Sequence, residues 1–103
     1  MSAPAETLQK ARDLIADPAH WTQKASARSA EGNSVSVRSP KAESFCTLGA
    51  IDRVVGHDSG FYDATHFIYQ VIGSADSIAQ FNDSHTHAEV LDVLDVAIEK
   101  AKA

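Results

Sequence analysis

Cys46 is the only cysteine in the chain, and four histidines, His57, His66, His85 and His87, follow it. A thiol with an imidazole base in hydrogen-bond reach is the constellation of covalent hydrolysis. Its position argues against that use. Cys46 falls about two turns inside an apolar helical run, where burial raises a thiol's pKa, whereas nucleophilic cysteines prefer helix N-termini near positive charge. A structural cysteine is therefore expected. Asp83, His85 and His87 offer a second chemistry, a carboxylate and two imidazoles for a metal ion. The His-x-His pair suits a strand, but here it straddles a helix start and lacks the i,i+4 spacing of a helical metal site. These residues read as polar members of a capped loop. Together Cys46, His85, Asp83 and His87 define the alternative function, a small metal-dependent or Cys/His hydrolase. No G-x-S-x-G elbow, P-loop or dinucleotide fingerprint occurs, so no cofactor is implied.

A third set is purely electrostatic. Asp92, Asp95 and Glu99 lie along one side of the last predicted helix, with no basic residue beside them within that helix. The bland reading is a solvated face. The functional one is a rigid row of carboxylates that meets a basic groove and gains association rate by steering.

Charge distribution sharpens that contrast. The formal net charge is −5, which disfavours direct nucleic-acid binding and an anionic membrane surface. Residues 1–53 carry seven Lys/Arg and six Asp/Glu, whereas residues 54–99 carry eight acids and no Lys or Arg. No stretch approaches the roughly 20 apolar residues of a membrane span. Met1 to Glu6 lacks the basic patch and apolar run of a signal peptide, and one cysteine makes no internal disulfide. A cytoplasmic setting is expected. With 103 residues one domain is the natural count, and burial of about two-thirds of its surface supports a modest core without a metal or disulfide.

The elements that must position these groups follow from periodicity and caps. Leu8, Ala11, Leu14 and Ile15 stripe a first helix from Ala3 to Ala16, capped by Ser2, and Pro18 stops it. Trp21 is expected to plug the core. Thr22–Ser29 and Ser34–Arg38 flank the turn Glu31-Gly32-Asn33 and predict a small β-hairpin over about 22–38. Ser39-Pro40 predicts the start of a buried central helix reaching Val55, with a seam of small residues at Ala42, Cys46, Gly49 and Ala50 for close approach of another helix. Ala64, Phe67, Ile68, Val71 and Ile72 recur at helical spacing, although Thr65 to Ile72 has β propensity; helix is preferred. Ser74 would cap a short helix bearing Ile78 and Phe81. Thr86 and Glu89 form a capping box for a last helix whose buried face is Val90, Leu91, Leu94, Ala97, Ile98 and Ala101. The fold class is mainly α (α+β), with four to five helices on a buried central helix and one small hairpin.

Three segments, Ala11 to Trp21, Phe45 to Ile51 and Phe81 to Ala97, give the chain its resemblance to a family of small uncharacterised bacterial and phage proteins. That family's pattern has Trp where Phe81 stands here. The resemblance implies a mainly helical fold with a hairpin and brings no activity and no catalytic residue. The expected function is a non-enzymatic protein-binding or regulatory module, phage-derived, presenting Asp92, Asp95 and Glu99 to a basic protein surface. A homo-oligomeric structural protein joined through the small-residue seam is a further alternative.

Overall fold

The structure is a computed structural model that describes residues 3–73 and 77–103. The expected caps at Ser2 and Ser74 lie outside the described residues. Helix α1, Ala3–Leu14, buries Ala5, Leu8 and Ala11, and Ile15 continues its apolar stripe just past the end. The helix ends at Leu14, two residues short of the expected Ala16, and Asp17 before Pro18 is extended as expected, at ψ 128. Asp17 then caps a short 3-10 turn, Pro18–His20, by accepting from the Ala19 amide at 2.9 Å.

The β-structure differs from expectation in its partner. Strand β1, Ala27–Ser29, pairs antiparallel with β2, Ala42–Phe45, in the register Ala27 to Phe45, Arg28 to Ser44 and Ser29 to Ala42, with an irregularity between Arg28 and Ser29. The predicted turn is there, with Gly32 at φ 87. Its pairing is a single bridge, Arg28 to Ser34, framed by bonds from Ser29 N to Asn33 O and from Val35 N to Ala27 O. The hairpin partner therefore lies beyond the expected boundary of about 38, inside the stretch assigned to the central helix.

The reason is visible at Ser39. Its hydroxyl accepts from the Lys41 amide and its carbonyl from the Ala42 amide, which closes a turn and not a first helical turn. The free edge of β1 then takes the next four residues, and tertiary pairing overrides a local helix signal. Helix α2 is accordingly shorter, Thr47–Val55, and burial reaches Thr47, Gly49, Ala50 and Ile51. Gly56 ends it, and the Arg38 guanidinium donates to the last-turn carbonyls of Asp52 and Arg53, where a cation suits the helix dipole.

Helix α3, Ser59–Ile72, is capped by Asp58 and buries Phe61, Ala64, Thr65 and Ile68. The 3.6-residue period wins over β propensity because it gives these residues one face toward the core. Ser77 and Gln80 form a capping box for α4, Ile78–Ser84. Thr86 and Glu89 form the predicted one for α5, His87–Lys102, and the Thr86 amide holds the Glu89 carboxyl below its ordinary range. Val90, Leu94, Ala97, Ile98 and Ala101 are buried, with Leu91 partly so. Helix α1 packs against α5, α2 and α3, and α3 packs against α5. Among the described residues, five α-helices and a two-stranded antiparallel sheet make the mainly α fold expected. Among the described residues no helix is long and apolar enough to cross a membrane.

Candidate functional site

Ile78, Phe81 and Asn82 recur at i, i+3 and i+4 along α4, so its inner face carries an amide. Asn82 is 1% exposed. Its Oδ1 accepts three hydrogen bonds: from the Trp21 indole Nε1 at 2.8 Å, the Thr47 amide at 3.0 Å and the Thr47 hydroxyl at 2.8 Å. Its Nδ2 donates to the Thr22 carbonyl at 3.0 Å and to Asp83 Oδ1 at 3.2 Å. Gln23 Nε2 adds bonds to the carbonyls of Asn82 and His85. The three segments that carry the family resemblance thus meet at one buried side chain. A buried amide with all its groups bonded rigidifies its surroundings; half-bonded, it would cost more than an apolar residue.

Thr47 is the first residue of α2, and Cys46 is its N-cap. This corrects the expected place of Cys46, two turns inside a helix: the preceding four residues are strand. Cys46 Sγ accepts from the Gly49 amide at 3.3 Å, a role usually filled by Ser, Thr, Asp or Asn. With Asn82 on the Thr47 amide, orphan donors at this helix start are already engaged. Burial holds the Cys46 thiol above its ordinary value of 9.0, against amides of Gly49 and Leu48 that pull the other way.

The small-residue seam is used inside the chain. Gly49 meets the backbone of Ser26: a Cβ there would lie 2.0 Å from the Ser26 carbonyl oxygen, the oxygen that accepts from the Cys46 amide at 3.2 Å. The seam therefore receives a loop and not a helix, Ala42 sits on β2, and Ala50 is fully buried.

Beside this cap lies a cleft of about 260 Å³, walled by Lys24, Ser26, Cys46, Leu48 and Asp83 among others. Lys24 takes a left-handed conformation, φ 65, with its amide donated to Asp83 Oδ1 at 2.8 Å. A second cleft of about 240 Å³ shares Ser26 and Leu48 with the first and adds Gly49, Asp52, His57 and Phe61.

The histidines are occupied elsewhere. His57 Nε2 lies 2.8 Å from the Tyr62 hydroxyl, and Gln70 donates to His66 Nε2. His85 stacks on Phe81 and its Nδ1 donates to the Phe81 carbonyl. His87 Nε2 donates to the Ile15 carbonyl at 2.7 Å, with its ring against Trp21. None of the four is hydrogen-bonded to Cys46 among the described residues. Asp83, His85 and His87 do not converge: among the described residues no group of three His, Cys, Asp or Glu side chains is arranged to hold a metal. This arrangement predicts a quiet thiol. At neutral pH Cys46 should react with an aromatic disulfide reagent at least about 100-fold more slowly than in denaturant. Native and denatured rates within a few fold would contradict the cap. Since the folded pKa is raised, the stability this thiol contributes is full below its unfolded pKa and falls as pH climbs through the folded one.

The acidic row is only partly open. Asp92, Asp95 and Glu99 all lie exposed on α5. Arg12 of α1 donates to Asp95 at 2.7 Å, and Lys102 stands 3.5 Å from Glu99, three residues on in α5 itself, which corrects the expectation that the row has no basic neighbour within its helix. Both pairs are solvent-exposed and worth roughly 0–1 kcal/mol each. Val96, 47% exposed, sits among them. Reading the sequence one element at a time missed Arg12, which reaches the row from another helix. It also missed Asn82, although a polar residue at helical spacing from Ile78 on an apolar face was the available signal.

Among curated proteins and among solved structures, no match to the chain is found. A family model covers nearly the whole sequence, residues 1–100. The chain belongs to that family, DUF6197, a family of unknown function.

Proposed function

We propose that the chain is a non-enzymatic protein-binding or regulatory module, acting in the cytoplasm, whose acidic α5 face meets a basic surface on another protein. The observation that carries this reading is the solvent-facing row Asp92, Asp95 and Glu99 with Val96 exposed in its midst. An apolar anchor rimmed by charge is the anatomy of many interfaces. The charge pattern supports it too. Helices α3 and α5 pack together, and residues 54–99 supply no Lys or Arg to that side of the molecule. Arg12 and Lys102 temper the field at Asp95 and Glu99 without covering Asp92.

Charge reversal tests the reading. Asp95 is left in place because its bond to Arg12 ties α5 to α1, whereas Glu99 pairs with Lys102 on the same helix. The Asp92→Lys/Glu99→Lys variant should fold normally and lose a basic partner that the parent chain retains from native lysate at low salt and releases at high salt. An expected loss of about tenfold or more in affinity follows from two reversed charges facing a basic surface. Retention of the same partner at unchanged affinity would remove the α5 face from the account.

A further inference from the structure

A third cleft, of about 420 Å³, opens beside the two-stranded sheet. Ser29 at the end of β1 and Glu31 in the following turn border it on one side, and Pro40, Lys41 and Glu43 on the other. Its volume falls within the usual range of small-molecule sites, about 300–1,000 Å³, which the first two clefts do not reach. Local bonds hold both of its sides. The Ser29 amide donates to the Asn33 carbonyl and the Gly32 amide to the Ser29 carbonyl, each at 2.9 Å. The Ser39 hydroxyl and carbonyl accept from the amides of Lys41 and Ala42, each at 3.1 Å. Between them the strand pairing skips Glu43: Arg28 stands opposite Ser44, and Ser29 opposite Ala42. An extra residue of this kind re-aims side chains and is common beside functional sites.

Ser29 is 7% exposed, and its Oγ is the one buried side-chain polar atom without a hydrogen-bond partner among the described residues. Buried hydroxyls are nearly always bonded, because an unbonded one gives up water without replacement. A ligand in the cleft that Ser29 borders would supply the missing partner. The charges around it are also unspent. Glu31, Lys41 and Glu43 are exposed, and none joins an ion pair among the described residues. Opposite charges that border one cleft without closing on each other leave room between them for a molecule of the inverse pattern. A metal ion would meet the Lys41 ammonium, and a simple anion would meet two carboxylates, so neither suits. One carboxylate with two ammonium groups is the inverse of one ammonium with two carboxylates.

We propose that this cleft binds a free α-amino acid with a second amino group, of the lysine or ornithine type. Its carboxylate pairs with Lys41 and accepts from the Ser29 hydroxyl, and its two ammonium groups pair with Glu31 and Glu43. The site is separate from the α5 face and does not depend on it.

The test is titration of the isotope-labelled full chain, at low salt, with L-lysine, lysine amide, Nα-acetyl-lysine and L-leucine, read by backbone amide shifts. L-Lysine should shift the amides of residues 29–32 and 41–43. It should bind about three- to fivefold more tightly than each of the others, which lack in turn the carboxylate, the α-ammonium and the second ammonium. Lys41→Met, at an exposed position, should weaken L-lysine by about the same factor and leave lysine amide unchanged, a selectivity that a merely structural change would not produce. Ser29→Ala should also weaken L-lysine. Equal affinities for the four compounds, shifts confined to other parts of the chain, or no shift with L-lysine at millimolar concentration would overturn the site. An unchanged L-lysine affinity in either variant, or equal losses for L-lysine and lysine amide in Lys41→Met, would overturn it as well.

Discussion

Gly49→Ala should destabilise the protein by about 3 kcal/mol or more, at the upper end of overpacking costs, and lower the unfolding midpoint by roughly 15 °C. The sign is the informative part. In an exposed helix interior the same exchange is favourable by about 1 kcal/mol, because alanine has the better helix propensity. Here the new methyl would lie 2.0 Å from the Ser26 carbonyl oxygen and 2.9 Å from its carbon. Both are backbone atoms, so no side chain can rotate away. Relief requires moving the 22–26 segment off α2, and that segment supplies the acceptor for the Cys46 amide. The loop that walls the first two clefts would move with it. Urea unfolding of the variant measures the effect. A stability equal to or above the parent would mean that Ser26 does not approach α2 this closely.

Asn82→Leu should cost about 4 kcal/mol. The shape is nearly kept, but three donors lose their shared acceptor: the Trp21 indole and both groups of Thr47. The Thr22 carbonyl loses its donor too. Each buried group left unbonded costs about 1–3 kcal/mol, and the costs are not fully additive, so the sum stays below the simple total. Thr47→Val is the informative contrast. It removes one donor and leaves Asn82 Oδ1 with two, so a loss of about 1 kcal/mol is expected. Unfolding followed by the fluorescence of Trp21, the sole tryptophan, reads both variants. Similar losses for the two would contradict the unequal roles assigned to them.

These two residues also show where sequence reasoning stopped. The sequence puts Gly49 in a seam for close approach, which holds in kind, but a loop approaches it and not the expected helix. Nothing local announces that a loop 23 residues earlier in the chain folds back onto it. The start and buried face of the last helix are legible because their signals are local: a capping box at Thr86 and Glu89 and one apolar face; the Lys102 partner of Glu99, at i+3, is local too and is overlooked. The start of α2 was not. Ser39-Pro40 is a sound helix signal, yet the open edge of β1 captured Ala42–Phe45, and that moved Cys46 from a helix interior to a cap. The structure places Asp92, Asp95 and Glu99 on the exposed side of one helix, while the salt partner of Asp95 comes from α1, 83 residues earlier. Such partners are set by packing, and periodicity within one element does not reveal them.

Asn82 joins the Trp21, Thr47 and α4 segments into one unit. The indole proton of Trp21 tests it most directly, since a single tryptophan gives a single resonance. Hydrogen exchange at Nε1 should be slowed to the level of the α5 core amides, because its bond to a fully buried acceptor opens only when the unit opens. An indole proton that exchanges freely while the amides of Val90–Ile98 remain protected would mean that Asn82 does not join these segments.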